Sequence, residues 1–283
     1  MTTVVVTGAT GNVGRPLVTE LVEAGATVRA VTRQPGTAGF PRGVEVVTSA
    51  AEGLRGADAV FLNSRALADD LATVVDRAGD EGVTRLVALS AINADDDFAI
   101  QPSRFRGDRN KEVEQLAIES GLSWVSLRPT MFVSNLAGMW STQLQSGDVV
   151  AGPYAAASSA PIVERDISAV AAQALLTDRL VGRTVELTGP QAFTNAQLLA
   201  TIGTVVNRRL RYQEVSVEQV RNSFVALGFP TAFADAYIGF LAATVDKPAA
   251  VTREIDKILG RPAQSFAAWV ADHRALFTRS QGG

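Results

Sequence analysis

Apolar residues in the first half of the chain fall into short β-branched runs, separated by longer stretches in which they recur every three or four positions. The runs at 4–6, 28–31, 44–47, 59–62, 86–89 and 124–127 are almost continuously apolar, as parallel strands covered on both faces must be. Between them, 13–24, 66–79 and 109–120 carry helical spacing and end at or just before a glycine. Strand and helix in regular alternation predict an α/β fold, a doubly wound parallel Rossmann sheet with right-handed crossovers. Ligands on such a sheet bind at the carboxyl ends of the strands, so the residues following each strand are the first place to look for chemistry.

Beyond residue 130 the alternation loosens. A stretch rich in Gly, Ala and Ser at 151–160 reads as a mobile loop. A helix is expected over 166–177, a returning strand over 184–187, and a helix over 194–206 with Thr194 as its cap. From 217 to 277 the pattern is almost entirely helical, interrupted by Pro230, Pro248 and Pro262. The expected organisation is a dinucleotide-binding domain over 1–150 and a smaller, mainly helical substrate lobe over 151–283, with a disordered tail at 281–283.

Composition narrows the chemistry. The 283 residues are 47% hydrophobic and 19% charged, with a net charge of −3, which lacks the basic footprint of a nucleic-acid binder. Cysteine is absent and His273 is the one histidine, which excludes disulfides, thiolate nucleophiles and a Cys- or His-built metal site. No run approaches the roughly 20 apolar residues of a membrane span. The chain opens on a strand-like segment without a basic leader, so a cytoplasmic protein with no membrane partner is expected. Lysine occurs only at 111, 247 and 257, so a mechanism that needs one has three candidates.

The strongest local feature is Gly8-Ala9-Thr10-Gly11-Asn12-Val13-Gly14, which follows the first strand and opens the first helix. Gly8 permits the tight turn, Gly11 the approach of backbone to a pyrophosphate, and Gly14 close helix–strand packing. Amide groups at the helix start then face the phosphates. A site selective for NAD carries an acidic residue after the second strand, yet none occurs between Ala24 and Val44. Arg33 stands there instead, a planar cation suited to a 2′-phosphate, which points to NADP(H).

This glycine spacing, Leu89-Ser90-Ala91 after the fifth strand, and Ser120-Gly121-Leu122 leading to Leu127-Arg128-Pro129-Thr130 resemble the NmrA-like, atypical short-chain dehydrogenases/reductases. The resemblance extends over essentially the whole chain. It implies that Gly8, Thr10, Gly11, Asn12, Val13 and Gly14 hold the pyrophosphate and Arg33 the 2′-phosphate, while Asn63, Ser64 and Ser90 line the ribose and nicotinamide path. Pro129, Thr130, Met131 and Phe132 are implied near the nicotinamide or substrate, and Arg109 and Asn110 at the substrate pocket. Two features depart from the family. The segment 48–57 lacks the aspartate that commonly follows the third strand. The Tyr-x-x-x-Lys pair of ordinary short-chain dehydrogenases is replaced by Arg106 and Asn110, and the residues four beyond Tyr154, Tyr212 and Tyr237 are Ser158, Ser216 and Leu241.

Reduction of a simple ketone builds alkoxide charge, which a positioned acid normally meets with a gain of about 10²–10⁴ in rate. A quinone escapes that need because hydride gives a delocalised anion, and an iminium ion because hydride neutralises it. The expected activity is therefore hydride transfer from NADPH to a small apolar acceptor: a quinone, an imine or an activated carbonyl. No catalytic residue can be named. The alternative is a non-catalytic NADP(H)-sensing protein, and a homodimer is left open.

Other candidates read as structural. Asp95, Asp96 and Asp97 are adjacent in a loop and cannot all face one cation. His273 reads as a surface residue near a helix end. Arg104, Arg106 and Arg109 are either a solvated helix entry or an attractor for an anionic substrate. Phe224, Phe229, Phe233, Tyr237 and Phe240 are spaced for helix packing, with an apolar substrate wall as the alternative.

Overall fold

The computed structural model describes residues 1–37 and 39–279, so the tail at 281–283 lies outside the described residues. Strands β1 (Thr3–Val6), β2 (Thr27–Val31), β3 (Glu45–Val47), β4 (Ala59–Asn63), β5 (Arg85–Leu89) and β6 (Ser123–Pro129) form the first half of the chain. Short strands β7 (Val149–Gly152) and β8 (Ser158–Ser159) follow, then β9 (Arg183–Leu187), β10 (Phe193–Thr194) and β11 (Arg211–Glu214). Seven of them make one parallel sheet in the order β3-β2-β1-β4-β5-β6-β9. The chain reverses direction across the sheet between β1 and β4, the switch point at which doubly wound sheets open a crevice.

Helices α1 (Gly14–Glu23), α2 (Ala50–Leu54), α3 (Ser64–Leu67), α4 (Leu71–Asp80), α5 (Asn110–Glu119), α6 (Val133–Ser146) and α7 (Glu164–Leu176) fill the crossovers. Strand alternation sends Val4 and Val6 to one face, against Leu17 and Leu21 of α1 and Val170 of α7. Val5, Val60 and Leu62 go to the other, against Leu71 and Val75 of α4 and Val113 of α5. Each of these leucines and valines is almost fully buried, which stabilises the fold by roughly 1.5–3 kcal/mol per side chain. Residues α7 and β9 rejoin this sheet, so the chain beyond residue 150 serves both the sheet and the lobe above it.

The remaining helices, α8 (Asn195–Val206), α9 (Val217–Ala226), α10 (Thr231–Ala242), α11 (Glu254–Leu259) and α12 (Phe266–Asp272), are mostly peripheral to the sheet. A third core joins α6, α8 and α12 through Leu136, Trp140, Leu199, Ile202, Phe266 and Trp269. Helix α10 closes on the segment between β5 and α5, so tightly that a Cβ at Gly239 would lie 2.8 Å from Ile100 Cγ2. Phe224, Phe229, Phe233 and Tyr237 form the α9–α10 contact through edge-on and stacked rings.

The structure corrects several expectations. The helix expected at 66–79 is broken at Ala68, whose φ of +50° no helix accommodates, into α3 and α4 joined by a 3₁₀ turn. The supposed loop at 151–160 is ordered: β7 pairs with β11, β8 pairs with β10, and Ala157 and Ala160 are buried. Residues 243–253 are not helical. Thr194 does cap α8, with Gln197 completing a reciprocal capping box.

Candidate active site

The glycine turn sits at the switch point. Gly8 takes a φ of +66°, and a Cβ there would meet Asn63 Nδ2 at 2.9 Å. Gly14 is more constrained, because a Cβ would lie 2.1 Å from the Gly8 carbonyl oxygen and 2.8 Å from Ala9 Cα. The turn closes when Gly11 N donates to the Gly8 carbonyl at 2.9 Å. No side chain caps α1 and no acidic residue occupies its first turn, so its positive end is left for an anion. Thr7 Oγ1 donates to the Phe61 carbonyl (2.8 Å) and accepts from Asn63 N (2.8 Å), which locks β1 to β4 beneath the crevice. Arg33, just past β2, is exposed and has no partner among the described residues. A tight glycine cradle, an uncapped helix start and a free guanidinium fit a phosphorylated dinucleotide.

Neighbouring candidates are held by structural bonds. Asn63 Oδ1 accepts from Ala66 N at 3.2 Å, which caps α3. Buried Ser64 accepts from Arg109 N at 2.9 Å, and buried Ser90 donates to the Asn110 carbonyl at 2.9 Å. These two hydroxyls staple the start of α5 to the carboxyl ends of β4 and β5. Asn110 Nδ2 reaches Ser103 Oγ at 3.2 Å. Beyond β6, Thr130 Oγ1 donates to the Ala160 carbonyl (2.6 Å), and Phe132 bridges to Ile162. Met131 packs against the third core. On the far side of the turn, Asn12 Nδ2 donates to Ser134 Oγ at 2.8 Å, and Ser168 Oγ donates to the Val13 carbonyl at 2.7 Å. Thr10, with Asn12 and Val13, completes the turn. Asn12, Ser134, Glu164, Trp269 and His273 border a hollow of about 430 Å³. A second, of about 610 Å³, lies between α1, α7 and residues 259–264 and is lined by none of the expected site residues.

Behind the substrate end runs an ion network that the sequence reading did not find. Arg128 Nε donates to buried Glu114 Oε2 at 2.8 Å, a second Arg128 nitrogen to Glu114 Oε1, and a third to Asp95 Oδ2 at 2.6 Å. Lys111 bonds Asp95 and stands 4.0 Å from Glu114, and Ser126 donates to Glu114. Burial works to raise the Glu114 carboxyl, but the Arg128 and Ser126 bonds outweigh it and the net shift is downward. Bonds from Arg128 and Lys111 hold Asp95 down to about 2. The signal in the sequence was the charge of Arg128 at a strand end, which called for a buried partner. Asp97, by contrast, only caps a 3₁₀ turn through Ala99 N, and among the described residues no group of side chains could hold a metal ion. Tyr212 donates to the Pro153 carbonyl at 2.8 Å, and burial pushes both its phenol and that of Tyr237 up. His273 stacks on Trp269 at an exposed helix end.

Residues 8–178 match the family model described as NAD(P)H-binding. A (4-alkanoyl-5-oxo-2,5-dihydrofuran-3-yl)methyl phosphate reductase of Streptomyces griseus is 34% identical, covering 97% of this chain and 99% of its own. An NAD(P)H azoreductase of Xenophilus azovorans is 30% identical over the same shares, 97% and 99%. The fold of an NADPH-dependent quinone oxidoreductase from Escherichia coli superposes with a TM-score of 0.81 at 21% identity, covering 96% of this chain and 99% of the other. Among the described residues no helix is long and apolar enough to cross a membrane. The chain belongs to the NAD(P)H-binding family, as an NAD(P)H-dependent reductase of the NmrA-like, atypical short-chain dehydrogenase type.

Proposed function

We propose that the protein uses NADPH in preference to NADH to reduce a small unsaturated acceptor, a quinone, an imine or iminium, or an activated carbonyl, and that no tyrosine–lysine pair takes part. The observation that carries this reading is the glycine cradle at the β1–β4 switch point, with unpaired Arg33 past β2 and no carboxylate between Ala24 and Val44. A bound reduced nicotinamide would supply the hydride, beyond that cradle at the carboxyl ends of the strands. Gly8 through Gly14 would hold the pyrophosphate on backbone amides, and Arg33 the 2′-phosphate. Asn63, Ser64 and Ser90 would fix the path toward the redox end, and Pro129 to Phe132 its far wall.

The chain's own acids argue against proton donation to a simple alkoxide. The Tyr212 hydroxyl is spent on the Pro153 carbonyl, burial has made both inward phenols weaker acids, and Lys111 is committed to Asp95. An acceptor that receives hydride and takes its proton from solvent afterwards avoids that requirement. Azo and acylated dihydrofuranone compounds, in the names of the two relatives above, are conjugated acceptors of that kind. Their identities of 30% and 34% favour catalysis over a purely sensing role. The lobe beyond residue 151, α9 and α10 above all, would then exclude water from the acceptor.

Oxidation of NADPH followed by absorbance across neutral quinones, cyclic imines and azo dyes tests the activity. Turnover with at least one class is expected. Arg33→Gln is expected to raise the Kd for NADPH by about tenfold or more, as loss of a charge-assisted bond does, while NADH binding changes little. Tight NADPH binding without turnover of any acceptor would instead support the sensor.

A further inference from the structure

The turn 103–110 forms the rim of the crevice. Ser64 and Ser90 fasten it to β4 and β5, Arg65 pairs with Asp108 at 2.6 Å, and a Cβ at Gly107 would touch Arg65 Cγ at 3.7 Å. Four arginines meet there, Arg65 and three from the turn itself, and their bookkeeping is uneven. Arg65 is satisfied by Asp108, and Arg104 by a two-pronged bond to Glu112 (2.8 and 3.0 Å) and by the Phe98 ring 3.8 Å beneath it. Arg109 spends one nitrogen on the Arg104 and Asp108 carbonyls (3.1 and 2.9 Å), which orients the side chain without neutralising it. Arg106 is exposed and has no partner among the described residues. Among the described residues neither Arg106 nor Arg109 forms an ion pair, although Glu112, bonded to Arg104, also feels the charge of Arg109. Both stand on a rim stapled to the strand ends, in a protein whose net charge is −3. Beside them Phe98 and Phe105 are 50% and 42% exposed.

We propose that the acceptor carries an oxyanion, a carboxylate or a phosphate monoester, which Arg106 and Arg109 bind while its unsaturated ring faces the redox end of the crevice. This refines the reductase reading above and rests on it for turnover, not for binding. Guanidinium forks match carboxylate and phosphate oxygens two bonds at a time. The exposed phenylalanines suit the apolar body of such a molecule. Long-range attraction to this rim would also speed encounter at low salt.

The test uses matched probes: a naphthoquinone bearing a carboxylate side chain against its methyl ester, and a phosphate monoester against the parent alcohol. For the wild type, kcat/KM is expected to favour the anion over its neutral twin by about tenfold to a hundredfold, and this preference should shrink as salt rises to about 0.5 M. Arg106→Ala and Arg109→Gln should each reduce the ratio, and together bring it close to one. Arg109→Gln frees two carbonyls and could loosen the turn, so Arg106→Ala, on a side chain with no described partner, carries the test alone. Calorimetric titration of the same pairs into NADP⁺-saturated protein supplies a readout without turnover. Loss of anion binding in Arg106→Ala supports the proposal even if no acceptor is reduced, in which case only the catalytic reading fails. Equal use and binding of anionic and neutral twins by the wild type overturns it, and so does a preference that survives Arg106→Ala undiminished. The ratio for the carboxylate pair against the phosphate pair shows which oxyanion is preferred.

Discussion

At the residue scale the site depends on what cannot be added and what cannot be removed. Gly14→Ala puts a methyl group 2.1 Å from a backbone oxygen that closes the phosphate turn, so the turn or the helix must move. Loss of NADPH binding by about a hundredfold or more is expected in calorimetry, with a destabilisation of roughly 1–3 kcal/mol. Unchanged affinity would mean that the turn does not hold the phosphates. Glu114 and Arg128 present the opposite case. Glu114 is 2% exposed and its charge is matched chiefly by Arg128. Arg128→Leu strands that carboxylate, and a loss of about 3–5 kcal/mol in urea unfolding is expected. Replacing both residues with apolar ones of similar size should recover most of it, because a buried pair offsets little more than its own desolvation. A double variant as unstable as the single would show that the pair contributes net stability beyond its own desolvation.

At the element scale, the two buried hydroxyls that fasten α5 matter more than any propensity within it. Ser64→Ala leaves Arg109 N without its acceptor at the mouth of the site, and a cost of about 1–3 kcal/mol is expected, with faster amide exchange at Arg109 than at α5's centre. Exchange that stays slow would show that the turn is held by other means. Elements such as this one also mark how far the sequence could be read. The six strands of the first half were legible because burial on both faces leaves continuous apolar runs, and the glycine turn because its spacing is demanded by sterics at Gly8 and Gly14. Helix α6 escaped, since its buried Leu136, Ala137, Trp140 and Leu144 alternate with Ser, Gly and Gln and face a core made by α8 and α12 from far along the chain. The β7–β11 pair was equally hidden, because Arg211-Tyr212-Gln213-Glu214 has the polarity of an edge and gains its partner only through tertiary contact. The break at Ala68 left no trace, since alanine favours a helix and carries none of the signal that glycine or asparagine gives for positive φ. In the candidate site, residues following strands could be listed, whereas their bonds could not. Ser64 and Ser90 read as cofactor neighbours, while their hydroxyls turn out to hold the rim.

At the scale of the whole molecule, acid-sensitive stability follows from how its carboxylates are paired. Asp95, Glu112, Glu114, Asp148 and Glu254 all lie below their ordinary values of 3.8 for Asp and 4.5 for Glu. Bonds from Arg128 and Lys111 lower Asp95, Arg208 lowers Asp148, and Lys257 lowers Glu254, while for Glu112 and Glu114 the arginine bonds overcome an opposing burial. A carboxylate depressed in the native state binds protons more readily once unfolded. Its contribution is present in full above the unfolded value and is lost as pH falls through the native one. The pairs join separate parts of the chain: Asp95 and Glu114 tie the β5–α5 segment to β6, Asp148 ties the end of α6 to Arg208, and Glu254 ties α11 to Arg183 at β9. Stability measured by urea should therefore be flat near neutrality and fall below about pH 4.5, with proton uptake on unfolding, and the decline should continue toward pH 2. Most of these groups are exposed enough for solvent to weaken each pair, so the fall comes from their number. Asp95→Asn should lower stability at pH 7 more than at pH 2.5, where the unfolded aspartate has already taken up its proton while the native one largely has not. A stability that does not change between pH 5 and pH 3 would show that these pairs are screened to nothing and that apolar packing alone holds the lobe against the sheet.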